Sequence, residues 1–579
     1  MTTSIAVHPV ADPGPDAPSA HRLLACWARE APDALGSVGI DGASLSWRQI
    51  VRSVDGLAEQ LALAGVRRGD RVGLMAGRTR YALSTLLAAW SCGAVAVLLD
   101  ERHPIERRRH VLTDAGCRVL VSSEPGASAH GLPVLDPAGS EVRIGPARDR
   151  WQRRRAEDEA YVVYTSGTTG RPKGVLVSQA NLENFLAASA ELRYRPGSRA
   201  ISVVSPGFDG WLWSVLTPFA NGVGCVAIDA EAGDLERTLA AAEVDNLVMT
   251  PTLYASVARL PRVEVAVVAG ERCPAELARR LAESADRVIN VYGPTETTIA
   301  ATMADTARGD DLGTIGRPLH GYEVEVVGAD LLPVPAGTEG EILIGGAGVS
   351  LGYADSAGRI GDRFVLRHDR RWYRSGDLGV LQPDGQLRCL GRIDNQVKVG
   401  GFRVEFEEVE SLARQVDGVA EAVAYLDGTP PTLALGVLLA PGTALDQPLR
   451  ERITATFGEH LPRQLCPTFV HQISAVPIEV TGKVARRLVA EAGAALRQAA
   501  APAPAETALA GVLAVWDSVF GRAVTEDADF FALGGHSLLA AQLASQLGQR
   551  FEVQVSIADV LVTRTPQLQA LRIDELRSA

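Results

Sequence analysis

The chain has 579 residues, 46% of them hydrophobic and 22% charged, with a formal net charge of −12. That length exceeds one hydrophobic core and predicts three or four domains. The acidic balance argues against a nucleic-acid coat, which needs a basic face. Seven scattered cysteines without a CxxC pair argue against a zinc ribbon or a disulfide scaffold.

Residues 1–20 are rich in Pro and Ala and lack the apolar run of a secretory leader, and no later run is long enough to span a bilayer. A soluble, cytoplasmic protein without membrane or nucleic-acid partners is expected. Over 21–393 strand and helix patterns alternate. Runs 71–75 and 95–99 read as buried strands, and between them 81–92 has helical periodicity, with Leu83, Leu86, Leu87 and Trp90 on one face. Such alternation predicts parallel sheets covered on both sides. Near 316–353 the pattern turns strand-rich, at 323–327 and 341–344, which predicts a small β unit. A smaller α+β unit is expected over 394–492, then an Ala- and Pro-rich linker over 493–505. Residues 506–579 read as a four-helix bundle, with one stripe of Leu509, Val512, Leu513, Trp516, Val519 and Phe520 and another of Leu539, Leu543 and Leu547.

Two segments bear chemistry. After the strand pattern Tyr161-Val162-Val163-Tyr164 comes Thr165-Ser166-Gly167-Thr168-Thr169-Gly170-Arg171-Pro172-Lys173-Gly174. Glycines let backbone N–H groups approach phosphate oxygens, and hydroxyls add donors. The run lacks the Gly-Lys-Ser/Thr ending of a Walker loop, and a polar surface turn is the bland alternative. Far downstream, Gly534-Gly535-His536-Ser537 opens an apolar-periodic stretch, where Ser537 reads as a helix N-cap or as a presented nucleophile; the two are compatible.

The run 164–174 resembles the phosphate loop of the adenylate-forming superfamily, which includes acyl-CoA synthetases, luciferases and the adenylation domains of nonribosomal peptide synthetases. The resemblance continues in order along 21–490. It implies an α/β multidomain fold: a core of two αβ-layered subdomains plus a small β-barrel, a mobile α+β subdomain, then a carrier domain. Asn290-Val291-Tyr292-Gly293-Pro294-Thr295-Glu296 resembles the adenine-and-magnesium motif, implying Tyr292 on adenine, Thr295 on phosphate and Glu296 on Mg²⁺. Tyr373-Arg374-Ser375-Gly376-Asp377 resembles the ribose motif, with Asp377 on the ribose hydroxyls. Gly391-Arg392-Ile393-Asp394 resembles the hinge, with Asp394 as pivot and Arg392 near the nucleotide. Thr165, Ser166, Gly167, Thr168, Thr169, Lys173, Gly270, Asn290 and Gly293 complete the nucleotide set that it implies. Thr481-Gly482-Lys483-Val484 resembles the C-terminal lysine motif, where Lys483 suits a developing negative phosphorane. Ala485 and Thr481 depart from the usual aspartate and asparagine.

Phe208-Asp209-Gly210-Trp211 resembles the peptide-synthetase motif whose aspartate pairs with the substrate's α-ammonium; without its neighbours Asp209 would read as a helix cap. An unpartnered buried carboxylate selects ligands that bring a cation. Position by position, the resemblance implies a pocket of Asp209, Gly210, Trp213, Thr252, Val267, Ala269, Val291, Ile299 and Ala300, closed by Lys483. This is similar to a phenylalanine-type pocket, widened at Gly210 and Ala300, trimmed at Val291, with Thr252 as the only wall hydroxyl. The segment around Ser537 resembles a peptidyl carrier attachment motif, implying 4′-phosphopantetheine added by a phosphopantetheinyl transferase. The expected cofactors are therefore ATP, Mg²⁺ and covalent 4′-phosphopantetheine. No His-His pair of a condensation domain and no GxSxG elbow occurs, so trans-acting tailoring or condensation enzymes are expected partners. A small MbtH-like helper protein is another, and the chain itself is expected to be a monomer. Two alternatives remain: an aryl or fatty acid ligase with a fused carrier, and a non-catalytic carrier or scaffold with a degenerate nucleotide site.

Overall fold

A computed structural model describes residues 19–124, 126–142, 155–167, 171–230, 235–354, 363–394, 396–428, 431–478, 484–500, 508–551 and 553–578. The apolar runs of the first half form the strands of two stacked sheets. Arg71–Met75 pairs in parallel with Val95–Leu98 and Val119–Ser122. These strands sit in a seven-stranded sheet whose next members are Glu159–Thr165 and, antiparallel to it, Lys173–Ser178. A nine-stranded sheet carries the parallel strands Arg199–Ser202, Asn246–Met249, Val263–Ala269 and Ala285–Tyr292, closed by the antiparallel Thr302–Asp305.

Helices Trp47–Leu63, Ala82–Ser91, Gln179–Ser189 and Asp209–Ala220 fill the space between the sheets, where Trp47, Trp90, Trp211, Trp213, Phe185 and Phe219 join one core. Ala82–Ser91 was expected to bury one face. All its residues are buried, because the second layer covers the face that a lone sheet would leave wet. The small β unit is antiparallel. It comprises Tyr322–Val327, Glu339–Gly346, Arg370–Leu381 and Phe364–Arg367, with Leu387–Arg392 added along Arg370–Leu381.

Beyond it a hairpin, Val397–Val399 and Phe402–Val404, leads into a three-stranded sheet of Val419–Asp427, Thr432–Leu439 and Phe469–Gln472. Helices Phe406–Arg414, Gln447–His460 and Arg486–Ala500 accompany it. The last helix runs through 493–500, the first part of the expected linker, while 501–505 lie outside the described residues. Alanine is the best helix former, so an Ala-rich run continues a helix wherever one face can pack. Here Gly493 lies so close to Tyr425 that a Cβ would sit 2.1 Å from its hydroxyl. Arg497 pairs with Asp427 and stacks 4.0 Å above the Phe469 ring.

Helices Ala508–Phe520, Ser537–Phe551, Ile557–Val562 and Pro566–Ser578 form the terminal bundle. Val512, Trp516, Val519, Phe530, Leu543 and Leu547 make its core, and Trp516 Nε1 donates to Gln569 Oε1 at 2.8 Å. Leu538 departs from this core and packs into the apolar cluster of the smaller α+β unit. Among the described residues no helix is long and apolar enough to cross a membrane.

A buried ion pair at Arg107 helps to tie the smaller unit to the large core. Arg107 Nη1 donates to Glu408 Oε1 at 3.1 Å, and both side chains are only 4% exposed. Removing one member of such a pair strands the other's charge, at about 3–5 kcal/mol. Glu408→Ala should therefore release the smaller unit from the core. Small-angle scattering should show a larger radius of gyration; an unchanged profile would show that the pair does not hold the two units together.

Candidate active site

The strands Val263–Ala269 and Ala285–Tyr292 end at the same edge, with Ala269 opposite Val291 and Val267 opposite Ile289. Val267 and Ala269 alternate onto one face of their strand. After Tyr292 the chain turns sharply: Thr298 and Ile299 take φ of +58° and +73°. A β-branched residue rarely adopts that backbone, and such strain persists only where neighbours hold it. Tyr322 Oη donates to the carbonyls of Thr297 and Thr298 at 3.0 and 3.3 Å, and Thr298 Oγ1 donates to Gly348 O at 2.7 Å. Through this turn Glu296, Ile299 and Ala300 are all placed inside the molecule.

Glu296 is fully buried. Its carboxylate accepts from Arg403 Nη1, at 3.0 Å to Oε1 and 2.8 Å to Oε2, and from Tyr353 Oη at 2.8 Å. Burial alone would raise its pKa, but the Arg403 charge prevails and holds it below the ordinary value. A carboxylate is the oxygen ligand that Mg²⁺ favours, so Glu296 is the residue that would hold the metal; here both of its oxygens accept from Arg403.

Asp209 is the first residue of helix Asp209–Ala220. Its Oδ2 is shut off from solvent and has no hydrogen-bond partner. Desolvation pushes its pKa up to about 6; the Thr295 hydroxyl opposes this and the Glu296 charge adds to it. Trp213 lies edge-on to Phe185 at 5.8 Å, with its Nε1 also buried and unpartnered. Val267, Val291, Ile299 and Ala300 are buried nearby in the same core, with Ala269 packed against it. Gly210 tolerates a Cβ, whose closest neighbour would be Val204 Cγ1 at 3.4 Å.

Tyr292 Oη donates to Asp377 Oδ2 at 2.5 Å, and Arg392 Nη1 donates to Asp377 Oδ1 at 3.0 Å. The structure thus brings together the residues expected at adenine, ribose and hinge. Arg392 also holds Asp394 through two bonds of 2.9 and 2.7 Å, and Arg363 adds a third. Although burial opposes it, these hydrogen bonds draw Asp394 down to about 2. Ser166 donates to the Arg403 carbonyl at 2.9 Å, and Lys173 Nζ lies 5.8 Å from the Tyr353 ring centre. Thr168, Thr169 and Lys483 lie outside the described residues.

Two of the expected residues have protein partners. Asn290 donates both of its amide hydrogens to protein, to Leu312 O at 3.1 Å and Thr314 O at 2.8 Å. The Thr252 hydroxyl is not free on a pocket wall, since it donates to Glu271 Oε2 at 2.7 Å. Thr252 instead lines a cavity of about 380 Å³ together with Gly400, Phe402, Arg463, His536 and Leu538. The cavity therefore has walls from the large core, the smaller unit and the bundle. Gly401 abuts Thr250, one of its lining residues, at φ +85°, where a Cβ would lie 2.5 Å from Thr250 Cγ2, and Gly270 of the core faces Gly401. Ser537 opens its helix beside buried His536, whose imidazole desolvation holds down at about 4 and so neutral at pH 7. Sequence reasoning missed Arg403, Tyr353, Glu271 and Tyr322. Each acts across the fold, and none has a local pattern.

A two-sheet core, an arginine-clamped carboxylate and a carrier-like bundle at the same cleft define an adenylate-forming enzyme with a fused carrier. Residues 24–354 match the AMP-binding enzyme family and 510–571 the phosphopantetheine attachment site. The chain belongs to the AMP-binding enzymes, as an adenylation unit of the nonribosomal peptide synthetase type joined to a carrier. ATP and Mg²⁺ are the cofactors of the first unit, and 4′-phosphopantetheine that of the second. The attachment site implies a phosphopantetheinyl transferase.

Novobiocin biosynthesis protein H of Streptomyces niveus is 36% identical over 92% of this chain and 93% of its own. Phosphinothricin tripeptide synthetase PhsC of Streptomyces viridochromogenes is 32% identical over 96% of this chain, which spans 53% of that protein. Of Tyrocidine synthase 3 from Brevibacillus parabrevis, 31% identical, the chain spans 9%. Among solved structures, holo-PA1221, an NRPS protein containing adenylation and PCP domains, superposes with a TM-score of 0.76 over 97% of both chains at 24% identity, which establishes the fold. IdnL1 superposes with 0.68 over 79% of this chain and 99% of its own, at 27% identity.

The strained turn depends on one hydroxyl. Tyr322→Phe removes the donor that serves Thr297 and Thr298 and leaves buried carbonyls with fewer partners, a loss of about 1–3 kcal/mol. A lower melting temperature by calorimetry is expected, and an unchanged one would show that the turn is held by other means.

Proposed function

We propose that this chain activates an amino acid, aromatic and phenylalanine-like, as its aminoacyl-AMP and passes it to its own carrier at Ser537. The observation that carries the amino-acid reading is Asp209 Oδ2, a carboxylate oxygen cut off from solvent with nothing to pair with. A substrate ammonium would supply the missing charge and donor. An aryl or fatty acid would leave the oxygen orphaned, at a cost of several kcal/mol. The aromatic preference rests on the apolar residues near Trp213, with phenylalanine first and tryptophan or a substituted ring next. With Thr252 bonded to Glu271, no wall hydroxyl favours tyrosine. Such walls separate neighbouring side chains by only about 1–3 kcal/mol.

In the first half-reaction the substrate carboxylate attacks the α-phosphorus of ATP and pyrophosphate leaves. Asp209 fixes the ammonium end, Tyr292 and Asp377 the nucleoside, and Lys483 the negative charge that builds at phosphorus. Mg²⁺ on Glu296 would neutralise the phosphates. In the second, the thiol of 4′-phosphopantetheine on Ser537 takes the aminoacyl group and AMP leaves. The units 21–393, 394–492 and 506–579 act as core, mobile subdomain and carrier, turning at Asp394 between the steps. The hairpin tip at Gly400 and Gly401 beside His536 supports reading the present arrangement as the one for the second step. The thioester on Ser537 is then available to tailoring or condensation enzymes, the partners expected of a carrier.

ATP–pyrophosphate exchange should proceed with phenylalanine or a related aromatic amino acid and not with benzoate or fatty acids; exchange with an aryl acid alone would overturn the amino-acid reading. Because Asp209 sits near 6 in the free protein, it must ionise to pair, and ammonium binding pulls its pKa down. KM for the amino acid should therefore rise about tenfold per unit as pH falls below 6. Asp209→Asn should flatten that profile and raise KM about 10²-fold or more. Ser537→Ala should keep exchange activity while intact mass spectrometry shows no phosphopantetheine added by a transferase.

A further inference from the structure

Asp209 is not alone on its helix in lacking a partner. Trp213 stands one turn further along Asp209–Ala220, on the same face at the i, i+4 spacing. It is 3% exposed, and its Nε1 is shut off from solvent with no acceptor. Other tryptophans of the fold find theirs. Trp27, Trp90 and Trp211 donate to the carbonyls of Phe219, Ala160 and Gly77 at 2.8, 2.8 and 3.2 Å, and Trp516 donates to Gln569 Oε1 at 2.8 Å. The hydroxyls of the same helix are paired as well: Ser214 Oγ donates to Trp211 O at 2.8 Å and Thr217 Oγ1 to Trp213 O at 2.6 Å. Among the described side chains of this helix, two buried polar atoms stay unpaired, an acceptor at Asp209 and a donor at Trp213. A buried donor without a partner carries the full penalty of its desolvation, which an incoming acceptor relieves.

Resting on the reading of Asp209 as the ammonium's partner, we infer that the aromatic side chain of the amino acid carries a hydrogen-bond acceptor and that Trp213 Nε1 recognises it. The two unpaired atoms then answer the two ends of one ligand, a cationic donor at Asp209 and a ring-borne acceptor at Trp213. Unsubstituted phenylalanine meets only the first. An indole offers one donor and no acceptor. The group it selects therefore brings a lone pair and no proton of its own to place: a ring nitrogen, an ether or a carbonyl on the ring. Val267, Ala269, Val291, Ile299 and Ala300 are apolar, and the Thr252 hydroxyl is already given to Glu271. A phenolic hydroxyl could accept from Trp213 but would strand its proton among such walls, so tyrosine gains less than an aprotic acceptor. The edge-on Phe185 ring, 5.8 Å away, fixes the plane of the indole and with it the direction of the donor.

The test is ATP–pyrophosphate exchange by the full-length chain with phenylalanine and its three pyridyl isosteres, in each of which one ring CH is replaced by an acceptor nitrogen. At neutral pH that nitrogen is unprotonated. Removing the donor by Trp213→Phe should lower the ratio of kcat/KM for one isostere over phenylalanine about tenfold. Any cavity or loss of stability that the substitution brings weighs on both substrates and cancels in the ratio. Ratios that stay unmoved for all three isosteres overturn the inference. A second readout uses the unaltered protein, labelled with nitrogen-15 at its eight indoles. One indole N–H resonance should move downfield with the favoured isostere and not with phenylalanine; no movement, or equal movement with both, overturns the inference too. Asp209→Asn separates the two levels of the argument, since it should depress exchange with phenylalanine and isostere alike and leave their ratio intact. Absence of exchange with every amino acid sinks the amino-acid reading and this inference with it, whereas exchange with unmoved ratios removes this inference alone.

Discussion

The contact on which the rest depends is the one between Arg403 and Glu296. Three parts of the chain converge there: the strand-to-strand loop after Glu159–Thr165 through Ser166, the strained turn after Ala285–Tyr292 through Glu296, and the hairpin at 397–404. A carboxylate with no exposure cannot keep its charge unless a cation reaches it. The orientation of the smaller unit is therefore set by electrostatics at its tip as much as by apolar packing at its base. The same argument applies to Arg107 and Glu408, which join the two units at a second buried point. Two buried pairs and one glycine approach leave little freedom about the hinge while the hairpin is in place.

Asp209 and Glu296 share one cleft and are shifted in opposite directions. Desolvation and the Glu296 charge raise Asp209, while Arg403 holds Glu296 down. Two carboxylates with divergent environments fit two different counter-charges. Glu296 has its cation from within the protein or from a metal. Asp209 has an oxygen with no partner at all, which is the condition under which a ligand's ammonium gains most from binding.

Much of the layered fold was legible because buried parallel strands are short apolar runs, and Arg71–Met75 and Val95–Leu98 read as such directly. The Ala-rich tail of the smaller unit was misread because composition alone does not distinguish a flexible tether from a helix with a packing face. Gly493 against Tyr425 and Arg497 over Phe469 are contacts between residues far apart in sequence. At the site, ordered motifs located Tyr292, Glu296, Asp377 and Arg392, and the structure joins Tyr292, Asp377 and Arg392 by hydrogen bonds. The roles of Asn290 and Thr252 were not legible, because a side chain in a motif can equally face a neighbouring carbonyl or carboxylate. Arg403 lies 107 positions from Glu296, and no spacing rule joins them.

The bundle's position adds a further constraint. Leu538 follows Ser537 directly, and its side chain is 5% exposed within the apolar cluster of the smaller unit, alongside Val399 and Phe402 from the hairpin. Burying a leucine is worth about 1.5–3 kcal/mol, comparable to a surface patch holding two domains together weakly. The residue beside the attachment position and the hairpin carrying Arg403 therefore share one apolar cluster. If the hairpin withdraws, Leu538 loses partners and the bundle loses its seat; if the bundle leaves, the hairpin exposes apolar surface. Carrier docking and the cation on Glu296 are in this way two ends of a single mechanical connection, running from Leu538 through Phe402 to Arg403.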